Sequence, residues 1–191
     1  NEFPDLVVTD GTFKELRKVS DANPQKKDLL WGTAELVSFK NGDGVPLTGA
    51  LYKPENFDPK KKYPLLVLIH GGPQGAWPDG WSFRWNPQVF ASAGYFVFMP
   101  NPRGSTGWGQ AFTDDINGDW GGRAYEDVMR GTDWAEALPF VARGRTAAAG
   151  ASYGGYLIDW IAGHTDRFRA LVTHDGVFDP AGKTLFFTRQ A

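Results

Sequence analysis

Two uninterrupted apolar runs, residues 64–69 (P-L-L-V-L-I) and 95–99 (Y-F-V-F-M), limit what this chain can fold into more than any other feature. A strand with one wet face alternates apolar and polar residues. A strand that is apolar throughout is buried on both faces, as in a parallel sheet covered by helices. Residues 34–39 and 47–52 alternate instead, and Asn41-Gly42-Asp43-Gly44 between them is a hairpin signal. Residues 123–138 carry Tyr125, Val128, Thr132, Ala135 and Leu138 at a three-to-four spacing, which predicts an amphipathic helix. Residues 146–149 predict a short strand of small side chains, 153–163 a helix and 170–173 another strand. Strands alternating with helices after an opening hairpin point to an α/β sheet.

Residues 1–28 read differently. The stretch from Pro4 to Thr12 predicts a strand running into an Asp10-Gly11 turn, and residues 13–19 can pair back on it. A lone hairpin is marginal in water, so this piece is expected to lean on something else. The turn at Ser20-Asp21-Ala22-Asn23-Pro24 makes a domain boundary near residue 28, with 29–191 forming the main body. Asn1 is not an initiator Met and the first residues form no hydrophobic signal core, so the start reads as processed or truncated.

Charge and composition then remove whole classes of function. Twenty Lys and Arg against 22 Asp and Glu, a net charge of −2, argue against a nucleic-acid footprint. No apolar run approaches the roughly 18–20 residues that cross a bilayer, so no membrane span is expected. Zero Cys excludes disulfides, thiol nucleophiles and zinc–thiolate sites together, without fixing the compartment.

The chemistry concentrates at Gly150-Ala151-Ser152-Tyr153-Gly154-Gly155. A G-x-S-x-G sequence puts serine on a tight strand-to-helix turn, with glycines where side chains would collide with neighbouring backbone. A Gly-rich loop would look the same, but here a predicted strand precedes the motif and a predicted helix follows it. Ser152 is therefore the expected nucleophile, lifted above the sheet with a helix N-terminus beneath it. Acyl transfer also needs two donors aimed at the carbonyl oxygen as it becomes an oxyanion. The N–H of Tyr153 is one. The other is the N–H of Gly72, in His70-Gly71-Gly72-Pro73 at the end of the first apolar run. His70 is read as a structural residue that holds this loop through a hydrogen bond, rather than as the base.

Four runs occur in order: Ile69-His70-Gly71-Gly72-Pro73, the stretch N-P-R-G-S-T-G-W-G at 101–109, N-G-D-W-G-G at 117–122, and G-A-S-Y-G-G at 150–155. Together they resemble the prolyl oligopeptidase family of serine peptidases, in its acylaminoacyl-peptidase and dipeptidyl-peptidase-like branch, over about residues 33–179. The resemblance implies an α/β-hydrolase domain that cleaves short peptides or acyl-peptides through an acyl-enzyme. Ser152 falls on the family nucleophile, and Tyr153 and Gly72 on its oxyanion positions. Residues 1–28 resemble the last hairpin of the β-propeller that precedes this domain. The family triad runs Ser, Asp, His, with acid and base after the last two strands, and only 39 residues follow Ser152. The resemblance thus implies a hydrolase sheet incomplete at its C-terminus. His174, at the end of the strand expected beside that of Ser152, is the substitute base its position offers, with Asp175 or Asp179 to orient it, although the family carries a similar His-Asp-Gly there without using it as the base. Residues 180–191 do not match the family.

The other candidates have plainer readings. Trp77, Trp81 and Trp85 recur every four residues and either wall an apolar pocket or pack in the core, the latter expected. Arg103 either grips a carboxylate ligand or pairs with a nearby Asp, again the latter expected. Asp114, Asp115 and Asp119 suggest a carboxylate pair but fit a solvated loop and a helix start better. Lys60-Lys61-Lys62 reads as a solvated loop. Ala181-Gly182-Lys183-Thr184 echoes a phosphate loop, but Gly176 leaves one intervening residue too many. His70, His164 and His174 have no metal-binding spacing, so neither metal nor cofactor is expected. The expectation is a serine hydrolase acting on a peptide or small ester substrate, with a homo-oligomer left open. The rival is a non-catalytic hydrolase scaffold without acid and base.

Overall fold

The computed structural model describes residues 5–78 and 82–178. Trp81, Asp179 and the 181–184 sequence lie outside the described residues. Among the described residues, eight strands and four α-helices follow in the order β1 Val7–Thr9, β2 Leu16–Lys18, β3 Ala34–Lys40, β4 Pro46–Tyr52, β5 Tyr63–Ile69, α1 Pro87–Ser92, β6 Phe96–Asn101, α2 Gln110–Asp114, α3 Arg123–Glu136, β7 Val141–Ala151, α4 Tyr153–His164 and β8 Ala170–His174. β1 and β2 form a two-stranded antiparallel sheet of their own. The remaining six strands form a mixed sheet in the order β3-β4-β6-β5-β7-β8. Its first two pairings are antiparallel and the last three parallel.

The apolar runs are continuous because the sheet is covered on both sides. Leu65, Val67 and Ile69 of β5 join Phe96 and Phe98 of β6 in one core, under Val128 of α3 and Leu157 and Ile161 of α4. The alternate residues, Leu66 and Leu68 of β5 with Val97 and Met99 of β6, form a second core with Ala91 of α1. Side chains alternate faces along a strand, so two cores require apolar residues at every position. Each such side chain, fully buried, contributes about 1.5–3 kcal/mol.

The structure adjusts several expectations. β7 starts at Val141, five residues before the predicted strand, because a register irregularity against β5 lets Arg143, Gly144 (φ 72°) and Arg145 bulge outward before regular pairing resumes at Thr146. α1, six residues long, is too short to show an amphipathic pattern, and its signal is local: Asn86 accepts from Gln88 N, and Pro87 occupies the first turn. Asp114 closes the short helix α2 rather than lying in a loop. Asp119 does mark a helix start, accepting from Arg123 N at 3.2 Å. The predicted N-terminal hairpin is present, with Leu6, Val7, Val8 and Leu16 exposed.

Candidate active site

The site forms where β5, β7 and β8 end together. Ile69 is level with Gly150, and Ala151 with His174. Ser152 occupies the single position between β7 and α4, at φ 58° and ψ −119°. A non-glycine residue held there stores on the order of 1–3 kcal/mol of strain, which only tightly packed surroundings sustain. Those surroundings are backbone. A Cβ on Gly154 would lie 2.3 Å from Ile69 O, one on Gly150 2.4 Å from Gly154 O, and one on Gly155 2.7 Å from the Gly176 Cα. Ser152 N donates to His174 O at 3.0 Å, and Tyr156 N donates to Ser152 O at 3.0 Å. The serine is pinned by its main chain while its side chain is left exposed.

The loop after β5 lies directly against it. A Cβ on Gly71 would stand 3.0 Å from Ala151 O and 3.7 Å from Ser152 Oγ, so a side chain there would crowd the two segments where they approach. Gly72 follows at φ 132°. Tyr153 is the first residue of α4, where an N–H has no intrahelical acceptor. Its buried phenol donates to Trp120 O at 2.9 Å, and burial pushes its pKa up.

The three histidines fall in three settings. His70 is buried, with Nδ1 2.9 Å from Gly71 O and Nε2 2.9 Å from Ser105 Oγ. Burial pulls its pKa below the ordinary value, against a smaller opposing effect of the Gly71 carbonyl, and this matches a loop-holding residue. His164 stacks on Trp160 with ring centroids 4.2 Å apart at the far end of α4. His174 has Asp175 Oδ2 at 3.4 Å from Nδ1 and the Trp85 ring edge-on at 5.8 Å. Among the described residues, no histidine nitrogen is hydrogen-bonded to Ser152 Oγ. No group of three or more His, Asp or Glu able to hold a metal occurs among them either. No helix among them is long and apolar enough to cross a membrane.

The tryptophans divide. Trp77 is structural, its Nε1 donating to Leu68 O at 3.0 Å and its ring against His70. Trp85 is half-buried beside His174. Arg103 pairs with an aspartate as expected. Its Nε and Nη2 reach the two oxygens of Asp127 at 2.9 and 2.8 Å, and Nη1 reaches Asp43 at 2.7 Å. Asp115 pairs with Arg123 and not with another carboxylate. The sequence reading missed Asp127 and Ser105. Asp127 had a signal, a charged residue on the stripe with Ala124, Val128 and Gly131 that α3 buries.

Residues 81–191 match the prolyl oligopeptidase family, and the match includes residues 180–191, against the expectation from sequence. A probable dipeptidyl-peptidase 5 of Aspergillus clavatus is 47% identical over 171 residues, covering 88% of this chain and 24% of the relative. The dipeptidyl-peptidase 5 of Schizosaccharomyces pombe is 53% identical over 148 residues, covering 76% of this chain and 22% of the relative. The acylaminoacyl peptidase of Pyrococcus horikoshii superposes with a TM-score of 0.81 at 32% identity, over 91% of this chain and 28% of that one. The chain thus spans about a quarter of the length of the curated relatives it matches.

Proposed function

The chain belongs to the prolyl oligopeptidase family of serine peptidases, with an α/β-hydrolase fold, and from that premise we propose that Ser152 cleaves short peptides or acyl-peptides through an acyl-enzyme. The observation that carries the reading is the strained Ser152 between β7 and α4 with the His70-Gly71-Gly72 loop packed against it. Ser152 Oγ attacks the substrate carbonyl, whose oxygen takes up the negative charge. The N–H groups of Gly72 and Tyr153 are the donors for that oxyanion, and two preorganised donors are worth most where charge develops. The serine proton passes to a base and then to the departing amine. Water then releases the acyl group by the same route in reverse. His174, with Asp175 beside it, is the candidate base among the described residues. Esters, which leave more readily than amides, are the less demanding substrates of the same site.

The absence of a histidine hydrogen-bonded to Ser152 Oγ among the described residues favours a second reading, a hydrolase scaffold that does not turn over. One experiment separates the two. The chain is incubated with a p-nitrophenyl ester and an aminoacyl chromogenic peptide, and intact mass and product release are followed for wild type, Ser152→Ala and His174→Ala. The peptidase reading expects an acyl adduct that maps to Ser152, disappears in Ser152→Ala and turns over at least tenfold more slowly in His174→Ala. A wild type that is never acylated leaves the scaffold reading.

A further inference from the structure

Two of the four sequence motifs, N-P-R-G-S-T from Asn101 and N-G-D-W-G-G from Asn117, contribute no group to the reaction proposed above. We propose that they form one clamp that fixes the two oxyanion donors relative to each other, with Arg103 and Asp127 as the positioning residues that lock it. The proposal rests on reading the Gly72 and Tyr153 N–H groups as the oxyanion hole.

The first motif holds the Gly72 side. Ser105 Oγ meets His70 Nε2 at 2.9 Å, and Thr106 N donates to Gly75 O at 2.8 Å, so the glycine loop is gripped at both ends. The second motif holds the Tyr153 side. Trp120 O accepts from the Tyr153 hydroxyl at 2.9 Å, the Trp120 ring meets Tyr153 edge-on at 5.3 Å, and Gly121 packs flat against Trp160 of α4. The two grips are joined through one carboxylate. Asp127 lies one turn into α3, directly after the second motif, and is fully buried. It accepts from Arg103 N and Nε at 2.8 and 2.9 Å, from Arg103 Nη2 at 2.8 Å and from Asn41 Nδ2 at 3.0 Å. Four donors satisfy the carboxylate, and a fork of this kind sets orientation as well as distance. A hole whose donors come from a loop and a helix start needs such a device, because a reacting constellation must be held to within about 0.5 Å.

The test uses Arg103→Lys, which keeps the charge and loses the fork, with two readouts. Amide exchange is measured by mass spectrometry over residues 70–76 and 152–156. The rate of covalent labelling by a fluorophosphonate is separated into initial affinity and bond formation. The clamp expects exchange in both segments to rise tenfold or more together while β5 and β6 stay protected. It expects bond formation to slow at least tenfold at unchanged affinity. A folded variant in which neither segment loosens, or one alone, overturns it. Should Arg103→Lys fail to fold, Ser105→Ala and Tyr153→Phe each delete one hydroxyl at opposite ends of the clamp. A double variant whose loss equals the product of the single losses then overturns the coupling, and a smaller or larger loss supports it. Failure of the underlying reading looks different: wild type would not label at Ser152, while exchange would still decide whether the clamp holds the two segments.

Discussion

Ser152 keeps its positive φ because the residues around it have given up their side chains, and this makes neighbouring glycines unequal. Gly154 has no room, with Ile69 O 2.3 Å from where a Cβ would stand, whereas Gly163 in the same helix has nothing within 4 Å. Gly154→Ala is therefore expected to destabilise the fold by about 1–3 kcal/mol, as overpacking against rigid backbone does. Gly163→Ala is expected to be neutral or to stabilise by about 0.4–1 kcal/mol through the unfolded chain. Denaturant midpoints check both, and equal effects would mean that backbone contact does not set the turn. His70 carries a pH signature. Burial holds its folded pKa below the ordinary 6.5, so between those two values the unfolded chain binds more protons than the folded one. Stability then rises with pH through that window: it is complete above about 6.5 and is lost as pH falls below it. His70→Gln should remove up to about 1.4 kcal/mol per pH unit of that slope, measured by urea unfolding from pH 5 to 7.5. Asp5, whose pKa is lowered mainly by its hydrogen bond to Lys18, acts in the same direction but only below its ordinary 3.8.

Elements were legible in the sequence to the extent that their signals were local. The runs that became β5 and β6 could be read because both faces of each strand are covered, and G-x-S-x-G because its turn needs glycine at fixed offsets. The start of β7 was not legible, since a bulge at Arg143-Gly144-Arg145 obeys pairing with β5 rather than any pattern of its own. Neither was the partner of Arg103, because Asp127 lies 24 residues away and only the packing of α3 brings them together. The hairpin shows the opposite case, a local signal that forms its element without burying it. Leu6 and Leu16 are 70% and 68% exposed, while the chain is tied to the body at Gly32, whose N donates to Gln88 Oε1 at 3.1 Å. Trypsin is thus expected to cut at Lys26 or Lys27 well before the buried Arg103, with the body's thermal transition unchanged after the cut. Protection of that segment equal to that of the buried Arg103 would place the hairpin within the body.

At the scale of the whole molecule, the six-stranded sheet has two outer strands among the described residues, and they are defended differently. β3 carries a charge near each end, Glu35, paired to Lys53 just past β4, and Lys40. Charged side chains on an outer strand oppose pairing with a second chain. β8 has the sequence A-L-V-T-H and, among the described residues, a single neighbour in β7. Val172 is 55% exposed at its middle, and Phe178 just beyond it is 92% exposed. A short apolar outer strand is a template for another copy, and at pH 7 a net charge of only −2 does little to keep copies apart. The chain as given is therefore expected to associate through β8 in a concentration-dependent way. Val172→Lys should shift sedimentation toward the monomer without lowering the thermal midpoint, because its side chain is already largely in water. Leu36→Lys on β3, where Leu36 is 81% exposed, should leave the distribution unchanged. If both substitutions dissociate the assembly, or neither does, association runs through another surface and β8 is not its seam.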